Sequence, residues 1–267
     1  MPTLDVPGAV LHYQLAGDGP LLLISQSGEG DADRSTDLVS HLTDDYTVLT
    51  YDRRGLSRSR LQDPAAITDH ADDVHRLLAN VTDEPALMLG CSLGAVIGMH
   101  VAVRHPDQLS TLVAHEPIAP WLLPDPAAKQ HREELGIIRD RYLADGLQAA
   151  IPEIVRTLGI DPATAGAEPD RTEFPMDARR IANFDYFIRH DFIAAIEDHL
   201  DLANVSTHII PAAGTTTPRT VYDYQCAEAL AALLEQELAV FPGGHNGNLS
   251  HPRAYAVRLR ELLSPRR

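Results

Sequence analysis

The segment LMLGCSLGAVIGMH (87–100) holds the strongest chemical signal in the chain. Gly90, Ser92 and Gly94 fit the pattern G-x-S-x-G, with an apolar strand-like run before it and a helix-like run after it. A serine on a sharp strand-to-helix turn presents its hydroxyl at the end of a sheet, beside a helix N-terminus, where it can attack a carbonyl carbon. The flanking glycines are required because two backbones pass there too closely for a Cβ. The bare pattern is common by chance, and its place between strand and helix is what makes it specific. Cys91 neighbours the serine but belongs to the buried strand end and reads as a core thiol.

These residues sit in a chain of 267 with 38 acidic and 22 basic side chains, a formal net charge of −16. Phosphate backbones and anionic lipid surfaces need positive charge on the contact face, so neither nucleic acid nor membrane is an expected partner. No apolar run approaches the ~18 residues of a membrane span. The N-terminal MPTLDVPGAV lacks a basic-then-apolar signal region. Two cysteines, Cys91 and Cys226, make neither a disulfide framework nor a zinc ligand set. Thirteen histidines are present without H-E-x-x-H spacing, so metal chemistry is not expected. His41, His70, His75 and His105 lie on or beside polar helical segments and read as surface residues. The expectation is a cytoplasmic protein acting on a small molecule without metal or cofactor.

The elements that must position the serine follow from the hydropathy pattern. PLLLIS (20–25), YTVLTYD (46–52), PALMLG (85–90), LSTLVAH (109–115), STHIIPAA (206–213) and ELAVFP (237–242) are short, continuously apolar runs. Runs of this kind suit strands buried on both faces of a parallel sheet. Helical spacing separates them: Ile67, Val74, Leu77, Leu78 and Val81 share one face of 66–81, and Pro252 opens a helix over 252–263. The opening segment TLDVPGAVLHYQL alternates and turns at Pro7–Gly8, which predicts an antiparallel hairpin at the sheet edge. The fold class is therefore α/β, a mostly parallel central sheet with helices on both faces. The rhythm breaks over 117–204, which is Pro-rich at its start and then helical, with Ile181, Phe184, Ile188, Phe192 and Ile196 stepping by three and four. This predicts a core of 1–116 and 205–267 with a helical cap, 117–204, inserted over one end of the sheet.

Taken together, the elbow, YDRRGLSRS (51–59) after the fourth strand, the inserted helices and FPGGHNG (241–247) make the chain resemble a serine-dependent α/β-hydrolase over nearly its whole length. LVAHEP, AAGTTTPR and FPGGH resemble a subgroup of small bacterial hydrolases. The resemblance implies His245 as general base, in a Gly-rich loop after the last strand. It implies an oxyanion hole from the backbone N–H of Leu93 and of the loop SQSGEG (25–30), where Ser27 is favoured and Gln26 is second. His-Gly or Gly-Gly is usual there, so this loop departs from the pattern.

The acid is the difficulty. Most members of the fold carry it a few residues past a Gly after the seventh strand, and here that place reads Gly214-Thr215-Thr216-Thr217. A threonine can orient an imidazole but cannot stabilise its charge. Some relatives place the acid after the sixth strand, and Glu116 follows LSTLVAH directly. Glu116 is therefore the expected acid. Asp52 reads as structural, Asp191 and Asp198 as cap residues, and Asp223 as too far beyond Gly214. His115 should face away from Glu116, into packing. Asn183, Tyr186 and His190 are candidate pocket residues on the cap.

The implied function is hydrolysis of an ester, lactone or thioester of a small, mostly apolar molecule through an acyl-enzyme. Serine at the nucleophile position counts against epoxide hydrolase and haloalkane dehalogenase chemistry, for which this fold uses aspartate. A catalytically impaired ligand-binding protein, supported by the missing acid at 215–217, and a cofactor-free lyase or acyltransferase are the alternatives.

Overall fold

The computed structural model describes residues 2–62, 65–160 and 166–264. Its strands are β1 (Thr3–Val6), β2 (Ala9–Ala16), β3 (Leu21–Ser25), β4 (Thr47–Tyr51), β5 (Arg60–Leu61), β6 (Ala86–Cys91), β7 (Leu109–His115), β8 (His208–Gly214) and β9 (Ala239–Phe241). They form one sheet in the order β1-β2-β4-β3-β6-β7-β8-β9, with the two-residue β5 paired to β2. β4, β3, β6, β7, β8 and β9 run parallel, and β1–β2 is the expected antiparallel hairpin, closing around Pro7–Gly8. Each apolar run read as a strand is one. The run counted sixth in the sequence is β7, because β5 is too short to carry a hydropathy signal.

The helices are α1 (Thr36–Ser40), α2 (Ile67–Val81), α3 (Leu93–Arg104), α4 (Ala127–Asp145), α5 (Leu147–Leu158), α6 (Ala178–Tyr186), α7 (Phe192–Glu197), α8 (Tyr222–Leu233), α9 (Gly247–Ser250) and α10 (Pro252–Leu263). Side chains of successive strand residues go to opposite faces of the sheet. Met88, Leu112 and Ala114 therefore pack with Val74, Leu77 and Val96 of α2 and α3. Leu89, Cys91 and Val113 pack with Leu38, Tyr255 and Leu259 of α1 and α10. Both faces are covered, which is why the strands read as unbroken apolar runs rather than alternating ones. α4 to α7 lie in the insertion between β7 and β8, and a π-helical stretch, Phe187–Asp191, joins α6 to α7. Among the described residues no helix is long and apolar enough to cross a membrane.

The strand order reverses direction at β3 and β6, which pair in parallel with Ser25 opposite Gly90. Open α/β sheets bind ligands at such a switch point, beyond the C-terminal ends of the strands. Here the chain leaves β6 through Ser92 and leaves β3 through Gln26 and Ser27. The two exits are pressed together at the glycines of the elbow. A Cβ on Gly90 would lie 2.5 Å from the Gly94 carbonyl oxygen, and one on Gly94 would enter the Ser25 carbonyl. Both obstacles are backbone, which cannot rotate away. Gly94→Ala should therefore separate α3 from the β3 exit, at a cost of roughly 1–3 kcal/mol. A thermal melt should show a lower midpoint, and an unchanged midpoint would mean that the two exits are not held at this distance.

Candidate active site

Ser92 follows β6 with φ 54° and ψ −113°, and its hydroxyl stands at the N-terminus of α3. A positive φ on a non-glycine residue is strained and persists only where its surroundings hold it. The close-packed glycines at 90 and 94 supply that hold. Leu93 is the first residue of α3, so its N–H has no partner within the helix and is directed toward the strand ends. Ser92, Ser27 and His245 line one cleft enclosing about 690 Å³ of empty space, part of it open to solvent.

His245 and Glu116 arrive from two other strand exits. Glu116 follows β7, also in the left-handed region with φ 43°. Its own N–H donates to the Ala212 carbonyl at 2.9 Å, which holds the turn against β8. Its Oε2 lies 2.8 Å from His245 Nδ1, and its Oε1 accepts the Gly214 N–H at 2.8 Å. The carboxyl is fully buried. Burial alone would push it up, but the His245 hydrogen bond, the His115 and His245 rings and the Gly214 N–H outweigh burial and hold it at about 2. For His245 burial works downward. The hydrogen bond to Glu116 and the charges of Asp223 and Glu116 overcome it, so the imidazole is raised above its ordinary 6.5. Nδ1 thus carries the proton toward Glu116, which leaves Nε2 as the basic nitrogen.

Two of the three threonines at 215–217, Thr215 and Thr216, hold the end of β9 and the histidine loop. Thr215 N–H donates to the Phe241 carbonyl at 2.9 Å, Thr215 Oγ1 donates to the Gly243 carbonyl at 3.2 Å, and Thr216 N–H donates to the same carbonyl at 3.0 Å. Gly214 is required because a Cβ there would lie 2.6 Å from the Gly243 carbonyl oxygen and Gly244 Cα.

Several expectations need correction. Asp223, read as too distant, brings its Oδ2 to 3.7 Å from His245 Nδ1 while its Oδ1 lies 3.3 Å from Nε2 of buried His131 on α4. It sits in the first turn of α8, which folds back over the β8 exit, so sequence distance from Gly214 overstated its distance in space. Asn183, Tyr186 and His190 do not line the cleft. Asn183 is buried against Ser57, accepting its N–H at 2.8 Å and donating to its Oγ at 2.8 Å. Tyr186 packs over Gly55, and its ring lies 4.8 Å from that of His190, tilted by 43°. Asn183 and Tyr186 face the 53–57 turn, whereas the adjacent stripe of Phe184, Phe187, Ile188 and Phe192 lines the cleft. The apolar periodicity over 181–196 was the signal that marked the lining face. His70, read as a surface residue, is buried and sits 3.2 Å from Asp191.

Other expectations hold as geometry. Asp52 is structural: its carboxylate accepts the Ala32 N–H at 2.8 Å and takes the Arg58 guanidinium at 2.6 Å. His115 is buried in packing between Phe241 and Tyr255, and burial pushes it down to about 4. Burial likewise pushes the Cys91 thiol up to about 12. Gln26, the second oxyanion candidate, differs from expectation in not lining the cleft; its buried side chain donates to Ser35 Oγ at 2.5 Å and accepts from Asn248 at 3.1 Å, tying the β3 exit to the histidine loop. Arg53 was missed in the sequence. Its buried guanidinium donates to the carbonyls of Ser27 at 3.0 Å and Gly28 at 2.7 Å and to Asp191 at 2.8 Å. It fastens the β3 exit loop to the insertion.

The two carboxylates at His245 make a graded prediction. Removing either negative charge destabilises the imidazolium, so the titration must move down. In a histidine-resolved NMR titration His245 should titrate above 6.5 in the native chain. Asp223→Asn should lower it, and Glu116→Gln, which removes a hydrogen bond as well as a charge, should lower it further. A titration unmoved by either change would mean that neither carboxylate faces the ring.

A model of the alpha/beta hydrolase fold family matches residues 19–155. The uncharacterized hydrolase YraK of Bacillus subtilis is 35% identical over 98% of this chain and 95% of its own. Among solved structures, a hydrolase from Pseudomonas aeruginosa PA01 superposes with TM-score 0.75 at 24% identity, covering 99% of this chain and 98% of that one. The enol-lactonase from Burkholderia xenovorans LB400 superposes with TM-score 0.71 at 19% identity, covering 99% of this chain and all, 100%, of that one. Likeness at these two identities speaks for the fold. The match across half of the chain and the relative aligned along nearly all of it show that this protein belongs to the α/β-hydrolase fold family.

Proposed function

We propose that the protein is a serine hydrolase that cleaves an ester, lactone or thioester of a small molecule through an acyl-enzyme. The observation that carries this reading is the 2.8 Å contact between His245 Nδ1 and buried Glu116 Oε2, in the cleft that Ser92 lines. Ser92 Oγ attacks the carbonyl carbon while His245 Nε2 takes its proton. The imidazolium that forms lies against Glu116, with Asp223 3.7 Å away. The N–H groups of Leu93 and Ser27 receive the oxygen of the tetrahedral intermediate. Collapse expels the alcohol or thiol, which takes the proton from Nε2. Water, deprotonated by the same nitrogen, then releases the acid and restores Ser92.

The alternative of a ligand-binding scaffold drew its support from the uncharged residues at 215–217. That support weakens once a carboxylate is found on His245 from another strand. A ligated acid held at about 2 is ionised throughout the neutral range, as the reading requires. The oxyanion role of Ser27 is supported by the anchoring of its carbonyl on Arg53, 3.0 Å away, which orients the loop.

A fluorophosphonate probe should label the native protein and leave Ser92→Ala unlabelled. On p-nitrophenyl acetate or butyrate, Glu116→Gln should lower kcat by roughly four orders of magnitude, as loss of the acid does in a serine triad. Absence of labelling with an intact fold would remove the acyl-enzyme, and near-native turnover by Glu116→Gln would remove Glu116 from the acid role.

A further inference from the structure

Arg34 lies in the short 3-10 turn Ala32–Ser35 after β3, and its side chain forms part of the same cleft wall as Ser92 and His245. That side chain is 14% exposed. A guanidinium stays charged at any pH the fold survives and carries five N–H donors. The nearest carboxylate oxygen, Glu29 Oε1, stands 3.7 Å away, beyond hydrogen-bonding distance. Glu29 is already engaged: Arg180 Nε and Nη2 each donate to one of its oxygens at 2.6 Å. On the other side the Phe174 ring lies 4.6 Å from Arg34 Cζ, which fixes the guanidinium plane without accepting a strong hydrogen bond. Among the described residues no side-chain hydrogen bond leaves Arg34.

Its neighbours differ. Arg53 is satisfied by Asp191 and two carbonyls, and Arg180 by Glu29 and the Phe174 carbonyl. Burial pushes Arg34 below its ordinary value, against the pull of Glu29, and the Arg180 charge adds to the fall. An enclosed charge without its hydrogen-bonding partners is costly, and the cost is recovered when a ligand supplies them. The rest of the wall is mostly apolar, with Ile118, Ile138, Phe187 and Phe192 prominent; Glu29 also lines it, with both of its oxygens held by Arg180. Such a wall suits a hydrocarbon linker, and among the described residues Arg34 is its only arginine or lysine.

We propose that Arg34 is the anion-binding residue of this cleft, and that the substrate is an ester or lactone bearing a free carboxylate that pairs with it. This rests on the acyl-enzyme reading above and narrows its substrate class. The planar fork of the guanidinium matches a carboxylate bidentately. A phosphate, with more acceptors to satisfy, would need further donors than one arginine provides.

The test compares p-nitrophenyl hemi-esters of succinate, glutarate and adipate with chain-matched neutral p-nitrophenyl esters. Acetylated 3- and 4-hydroxybenzoates, compared with phenyl acetate, place the carboxylate in the leaving group. At least one anionic member should exceed its neutral match in kcat/KM by about tenfold or more in the native protein. Arg34→Gln should lower that anionic-to-neutral ratio by about thirtyfold, mainly through KM, as expected for truncating one partner of an enclosed charge pair. Arg34→Lys should restore part of it. A native preference for the neutral ester in every pair overturns the proposal whatever the variants do, and so does a ratio unchanged in Arg34→Gln. If no ester of either kind is turned over, it is the hydrolase reading that fails. Calorimetry of monomethyl glutarate with Ser92→Ala then decides on Arg34. Binding that disappears on adding Arg34→Gln upholds the anion site, and absence of binding overturns it.

Discussion

The site depends on the cost of burying one negative charge. Glu116 is fully enclosed, and an ionised carboxylate taken out of water is tolerable only when its oxygens are matched. One oxygen is matched by His245 and the other by the Gly214 N–H. Both matches require three strand exits, from β7, β8 and β9, to meet at backbone distance. Gly214 permits that approach, since any side chain there would strike the Gly243–Gly244 backbone. The left-handed turn at Glu116 is held from the other side by the Ala212 carbonyl. The carboxylate has thus not been lost from the β8 exit in any energetic sense. That exit contributes an N–H to the Glu116 carboxylate and Thr215 and Thr216 to the histidine loop.

A second set of buried charges ties the core to the insertion. Arg53, on the turn after β4, binds the carbonyls of Ser27 and Gly28 and reaches Asp191, which His70 contacts from α2. The loop proposed to hold the oxyanion and the helical segment that walls the cleft therefore share one guanidinium. Gly28 packs against Phe187, where a Cβ would lie 2.5 Å from the ring, so the loop and the wall also meet directly. His131 of α4, 3.3 Å from Asp223, is a further contact of the insertion, made close to His245. A displacement of the insertion would be felt at both the loop and the histidine.

Much of this was legible without coordinates. Continuous apolar runs marked the parallel strands because both sheet faces are covered, and the elbow and the Gly-rich histidine loop carry local signatures in their glycines. Glu116 could be named because it directly follows a strand, where local order and spatial position coincide. Asp223 could not, because its approach to His245 depends on how α8 folds back across a strand exit. Arg53 and Arg34 both sit in polar stretches where an arginine reads as surface, and only burial and the occupancy of nearby carboxylates separate them from their neighbours. On the insertion the apolar stripe of Phe184, Ile188 and Phe192, not the polar residues beside it, lines the cleft, so apolar periodicity is the better guide to that face.

The sequence by itself determined the sheet, the elbow and which residue types could act, because strand hydropathy and close-approach glycines are local properties of the chain. Only the tertiary structure decided which carboxylates face His245, which cleft arginine makes no side-chain hydrogen bond among the described residues and which helical face closes the cleft. Those are questions of distance between segments far apart in sequence, and an electrostatic interaction depends on that distance rather than on the identity of the residues alone.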